Sequence, residues 1–250
     1  MKTAKKTLPN IPTFIMMKSQ EEILCQAANN LQPEDVNNAL DQGANPFQPQ
    51  YDGHSGLFVL IEKSRTLREI STYDPNPHSL VSRLYSSLDR MCSHSLGEDD
   101  KEEFKAILKD VTKHHAFNAS LKNLVEQKAQ DEGKKLSPQT KNYYKDKTNA
   151  DQVMTSVLVS SRSYSDFSSL LSTEEAATFS SQLDISRQQG QLLAKEHLSL
   201  LDINEDGNIS VRQTLPPNNL EVAPLSINAI KDRRPTSSPS PHPKASQSLS

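Results

Sequence analysis

Apolar side chains recur three and four residues apart through most of this chain, the spacing that gathers them on one face of a helix. Val36, Ala39 and Leu40 make one such stripe; Val81, Leu84 and Tyr85 make another. Phe104, Ile107, Leu108 and Val111 follow, then Leu121, Leu124 and Val125. Val153, Val157 and Leu158 share a face, as do Phe167, Leu170 and Leu171. The last stripe carries Phe179, Leu183, Ile185, Leu192, Leu193 and Leu198. The pattern predicts an all-α protein. End signals refine it. Pro33, Glu34 and Asp35 suit a helix start, and Gly43 suits a helix stop. Acids at 99, 100, 102 and 103 and bases at 113 to 115 predict a helix over 98–115, with a separate one over 118–130. Ser172 and Glu175 form a capping-box pattern at the head of a long helix that ends near Asp202, with Gly190 as a kink site.

Two segments near the N-terminus match at an offset of 33 residues: ILCQAANN from Ile23 and GLFVLIEK from Gly56, with Leu24 and Leu57 in register. Between them, Asn45-Pro46 starts a turn, Asp52-Gly53 marks a turn tip, and Ser55 can cap the next helix. This resembles the ankyrin repeat, whose unit is a helix pair plus a β-turn of this period. Ser55-Gly56-Leu57-Phe58 stands where that family has TPLH, and Leu60 stands where it has Ala. The period then decays, because the Val81 stripe returns about a dozen residues late. Two units are fewer than the roughly three that a free-standing solenoid needs, so following helices must cap them. The resemblance implies a protein-binding scaffold whose contacts lie at the turn tips and inner helices. Phe47, Gln50, Tyr51, Asp52 and His54 are the exposed candidates, the aromatics being typical interface anchors.

Composition modifies the picture at the ends. Apolar content is 34%, Trp is absent, and Ser, Gln, Asn and Lys abound, which suits a modest core with disordered termini. The expected organisation is a flexible N-terminus at 1–18, ankyrin-like repeats at 19–92, and capping helices at 93–131. A polar linker at 132–148, a second helical region at 149–213 and a disordered Pro/Ser-rich tail at 214–250 complete it. A degenerate repeat joined to other helices and a polar Ser-rich C-terminus is similar to bacterial type IV secretion effectors. That similarity implies a eukaryotic host protein as partner, and a location in the bacterial cytoplasm or, after delivery, the host's. Pro9 and Pro12 break the basic N-terminal segment, so no signal peptide is expected, and no run approaches the ~18 apolar residues of a membrane span. A net charge of −3 gives no reason to expect a nucleic-acid partner.

Chemistry is sparse. No P-loop, GxGxxG, GxSxG or HExxH occurs, and seven glycines leave little material for a phosphate cradle. Cys25 and Cys92 have neither disulfide nor zinc spacing. No cofactor beyond weak calcium and no catalytic residue is expected; the alternatives to an interaction protein are a calcium-binding protein, through a loop at 202–213, and an enzyme of an unrecognised helical class. The sharpest motif is Asp202-Ile-Asn-Glu-Asp-Gly-Asn-Ile-Ser210, which resembles an EF-hand calcium loop. Asp202, Asn204 and Asp206 would ligate, with Asn208 through its carbonyl and Ser210 through water. Gln213 stands where that loop has a bidentate Glu, so any calcium affinity is expected to be weak, roughly 10⁻⁴–10⁻³ M or poorer.

Overall fold

The computed structural model describes residues 18–50, 53–66 and 78–212. The N-terminal segment and the tail read above from sequence lie outside the described residues. Eight helices run in the order α1 (Gln20–Asn29), α2 (Pro33–Asp41), α3 (Gly56–Ser64), α4 (Leu80–Cys92), α5 (Lys101–Asp131), α6 (Pro138–Val159), α7 (Arg162–Leu170) and α8 (Thr173–Ser199). A two-stranded antiparallel hairpin follows, β1 (Leu201–Ile203) and β2 (Ile209–Val211). The mostly helical expectation therefore holds, with one correction: the segment after α8 is strand.

Local chemistry fixes most of the ends. Ser19, Ser55, Ser79, Ser137, Ser161 and Ser172 each accept a hydrogen bond from a backbone N–H in the first turn of the helix that follows. At Ser172 the box is complete, since Glu175 bonds back to the Ser172 N–H at 2.9 Å. Gly43, at φ +89°, closes α2: its N–H reaches Leu40 O and the Ala44 N–H reaches Ala39 O. Leu31 adopts the same left-handed conformation after α1, at φ +54°, with the equivalent pair of bonds to Ala28 and Ala27. That tight stop lets α2 fold straight back on α1.

The packing is organised as stacked helix pairs followed by a longer bundle. α1 lies against α2 and α3, and α4 lies against α2 and α3. Leu24, Ala27, Val36, Leu40, Leu57, Leu60, Leu84 and Leu88 fill the space between them. Arg83 pairs with Glu34, and Arg90 with Asp41, across the α2–α4 face. α5 runs alongside both α6 and α8. One core extends from Leu24 to Phe179; a second, smaller one gathers Leu121, Val125, Ala129, Leu136, Tyr144, Ala194, Leu201 and Ile203.

Two sequence expectations are corrected here. Residues 138–148, expected as linker, are the first half of α6, with Thr140 and Tyr144 buried. The helices expected at 98–115 and 118–130 are one 31-residue helix. His114 and His115 therefore sit mid-helix and not at a C-terminal dipole. Gly190, expected as a kink site, lies inside α8, where a Cβ would run into the Lys113 carbonyl and approach Ala116 and Phe117 of α5. With Ser186 and Ala194, also buried, it makes a seam of small residues along which α8 approaches α5.

Candidate functional site

The turn between α2 and α3 is held from below. The Phe47 N–H donates to Asn45 Oδ1 at 3.0 Å, and the Leu57 N–H to Pro46 O at 3.0 Å. Asn45 Nδ2 donates to Asp100 Oδ1, and the Ser55 N–H to Glu103 Oε1, so the turn is tied to the start of α5. Phe47, expected as an exposed contact, is fully buried. Its ring meets Phe104 edge-on at 5.7 Å, and Phe104, Phe167 and Phe179 continue the aromatic chain through α5, α7 and α8. The reason lies in the tertiary packing: Phe104 supplies a ring for Phe47 to pack on, and the Asn45 bond holds the backbone of the turn in that position. Gln50 is half-buried and His54 is exposed, its ring stacked on Phe58 at 4.4 Å. The Gln50 N–H donates to His54 O at 3.1 Å, closing the turn. Tyr51 and Asp52 lie outside the described residues.

The segment expected as a calcium loop is the hairpin. Asp202 faces Ser210, and Ile203 faces Ile209, across the ladder. The Asp202 carboxylate accepts three hydrogen bonds from Arg212 at 2.7–3.2 Å, which hold its pKa below the usual range. Asn204 Oδ1 accepts from the Asn208 N–H, and Asn208 Oδ1 from the Ser137 hydroxyl. Glu205, Asp206 and Ser210 are exposed, and Gln213 lies outside the described residues. The hairpin thus differs from the helix–loop–helix of an EF-hand, and Asp202, Asn204 and Asn208 are engaged with protein partners. Gly207 shows what the motif does instead. At φ +75° it lets the tip press on the α5–α6 connection, where its carbonyl accepts from the Ser137 N–H and the Thr140 hydroxyl. A Cβ there would collide with Lys135 O and Ser137 N.

A charged cluster that sequence reading missed joins α3, α5 and α6. Arg65, just past α3, is only 10% exposed and pairs with Glu62, with Asp110 at 2.7 Å and with Asp151 at 3.6 Å. Asp151 is itself buried and accepts from Asn118 Nδ2 at 2.6 Å. Lys147 donates to the Arg65 carbonyl at 2.6 Å; burial lowers its pKa, and Asp151 opposes that shift. His114 Nε2 stands 3.7 Å from Asp110. The i, i+4 spacing of Asp110 and His114 on a helix was visible in the sequence; their meeting with Glu62 and Arg65 was not. His114 also borders a cavity of about 550 Å³ between α5 and α8, lined by Lys113, Phe117, Leu193, His197 and Leu200.

Of the two thiols, Cys92 belongs to the core. Burial, reinforced by Asp89, pushes the Cys92 pKa up to about 12, so it stays a protonated core side chain. Among the described residues no helix is long and apolar enough to cross a membrane. Comparisons with protein-family models, curated proteins and solved structures find no match to this chain.

Proposed function

We propose that this chain is a protein-interaction protein built on a short ankyrin-like unit, with the α2–α3 turn as its contact edge. One observation carries the reading. α1 packs on α2 and α3, α4 packs on α2 and α3, and the turn between α2 and α3 leaves the first two helices at Gly43 and enters the next at Ser55. The larger bundle supports the turn through Asp100, Glu103 and Phe104, which substitutes for the third repeat that such stacks normally need. Gln50 and His54 are the side chains it presents. A eukaryotic host protein, met after type IV delivery, is the partner class we infer from the composition of the tail.

The test is site-specific crosslinking. A photoreactive residue placed at Gln50 or at His54 should capture a partner from eukaryotic lysate, and the partner, once purified, should bind the full chain directly. His54→Ala should then weaken binding about tenfold or more, while Arg187→Ala on the far helix leaves it unchanged. Binding of the purified partner that ignores every turn variant would overturn the assignment.

A further inference from the structure

Three metal-ligating side chains converge outside the turn. Glu62 from α3 and Asp110 and His114 from α5 place one ligand atom each within 4.8 Å of one another. Two carboxylates and one imidazole suit zinc and its first-row neighbours, and three protein ligands leave coordination positions open. Two further observations point to a cation there. First, the surrounding charge does not balance. Among the described residues, Glu62, Asp110 and Asp151 pair with Arg65, Lys147 is coupled to Asp151, and His114 stands beside Asp110; with the imidazole counted as neutral, this partly buried group carries an excess of one negative charge. Exchanging the single charge of the Arg65 guanidinium for a divalent ion would bring the group to neutrality. Second, Arg65 is poorly satisfied where it lies. Its side chain is nine-tenths buried beside the carboxylates, yet Nε and Nη2 have no hydrogen-bond acceptor. Arg65 still pairs with all three carboxylates through Nη1 and, at 3.6 Å, Nε, but two of its buried donors are left without a hydrogen bond. His114 borders the α5–α8 cavity, which gives such an ion an approach from solvent.

We propose that Glu62, Asp110 and His114 form a binding site for one divalent transition-metal ion of the zinc type, with Arg65 holding the site in its absence. This goes beyond the interaction reading and does not depend on it. The experiment is equilibrium dialysis and calorimetry of the full chain with Zn²⁺ alone at neutral pH, repeated with Co²⁺ for its visible absorption. One equivalent per chain should bind. Glu62 and His114 are partly exposed, so Glu62→Gln and His114→Gln should keep the helical circular-dichroism spectrum. Each should weaken Zn²⁺ at least about tenfold and shift the Co²⁺ bands, since even outer partners of metal ligands cost that much. His54→Gln, on the exposed turn, should change nothing. If no saturable binding appears up to about millimolar zinc, or if His114→Gln binds as the wild type does, the proposal is wrong.

Discussion

A methyl group at position 190 would press into the Lys113 carbonyl and meet Ala116 and Phe117. Helix propensity alone favours Ala over Gly by about 1 kcal/mol. Here the obstruction is backbone and cannot rotate away, and overpacking of that kind costs about 1–3 kcal/mol. Gly190→Ala should therefore destabilise the protein, read as a lower urea midpoint at unchanged slope. Phe47 gives the complementary case. It is fully buried at the head of the Phe104–Phe167–Phe179 chain, so Phe47→Ala should cost about 3–5 kcal/mol. Leu40, buried between α2 and its neighbours, should cost about 2–5 kcal/mol on truncation to Ala. An exposed contact at position 47 would instead give a change within about 0.5 kcal/mol.

At the scale of elements, caps and turns read well from sequence because they are local. The Ser172–Glu175 box is an example, and it has a pH signature. Glu175 is lowered to about 2, first by Lys101 at 2.8 Å and then by its bonds to Ser172. An unfolded Glu titrates near pH 4.3. A depressed carboxylate stabilises the fold above that value, and the contribution is lost as pH falls from about 4.5 toward 2. Glu175→Gln should flatten melting temperature against pH in that window and leave it little changed below. The hairpin is the opposite case. DINEDGNIS has the spacing of a calcium loop, but Arg212 and Ser137, 10 and 71 residues from their partners Asp202 and Asn208, decide where two of its oxygens point. Calorimetry with millimolar Ca²⁺ should give no saturable heat for the wild type or for Gln213→Glu. A saturable heat that disappears in Asp202→Ala would restore the cation loop. Gly207→Ala should detach the tip and lower stability, because both φ and space forbid a Cβ.

At the scale of the molecule, the sequence by itself determined the helical class, the stripes of α2, α4 and α5 that became core, the serine caps, the Gly43 stop and the Asp110–His114 spacing. These depend on residues within a turn or two of each other, where a 3.6-residue period and a side chain's reach fix the outcome. Only the tertiary structure decided the rest. On α8 the expected Ile185, Leu192 and Leu193 are exposed, and Ser186, Gly190 and Ala194 are buried instead. Phe47 went inward because Phe104, 57 residues away, supplied a ring to pack on. The polar stretch at 138–148 became helix because Gly207 and Asn208 of the hairpin bond its first turn, and Thr140 and Tyr144 found a core. Arg65 met Asp110 and Asp151 across three helices, though no segment of the chain carries more than one or two of those groups. A one-dimensional pattern records which face of an element is apolar. It does not record which charges the fold will bring to the same point, and that juxtaposition is where the candidate metal site lies.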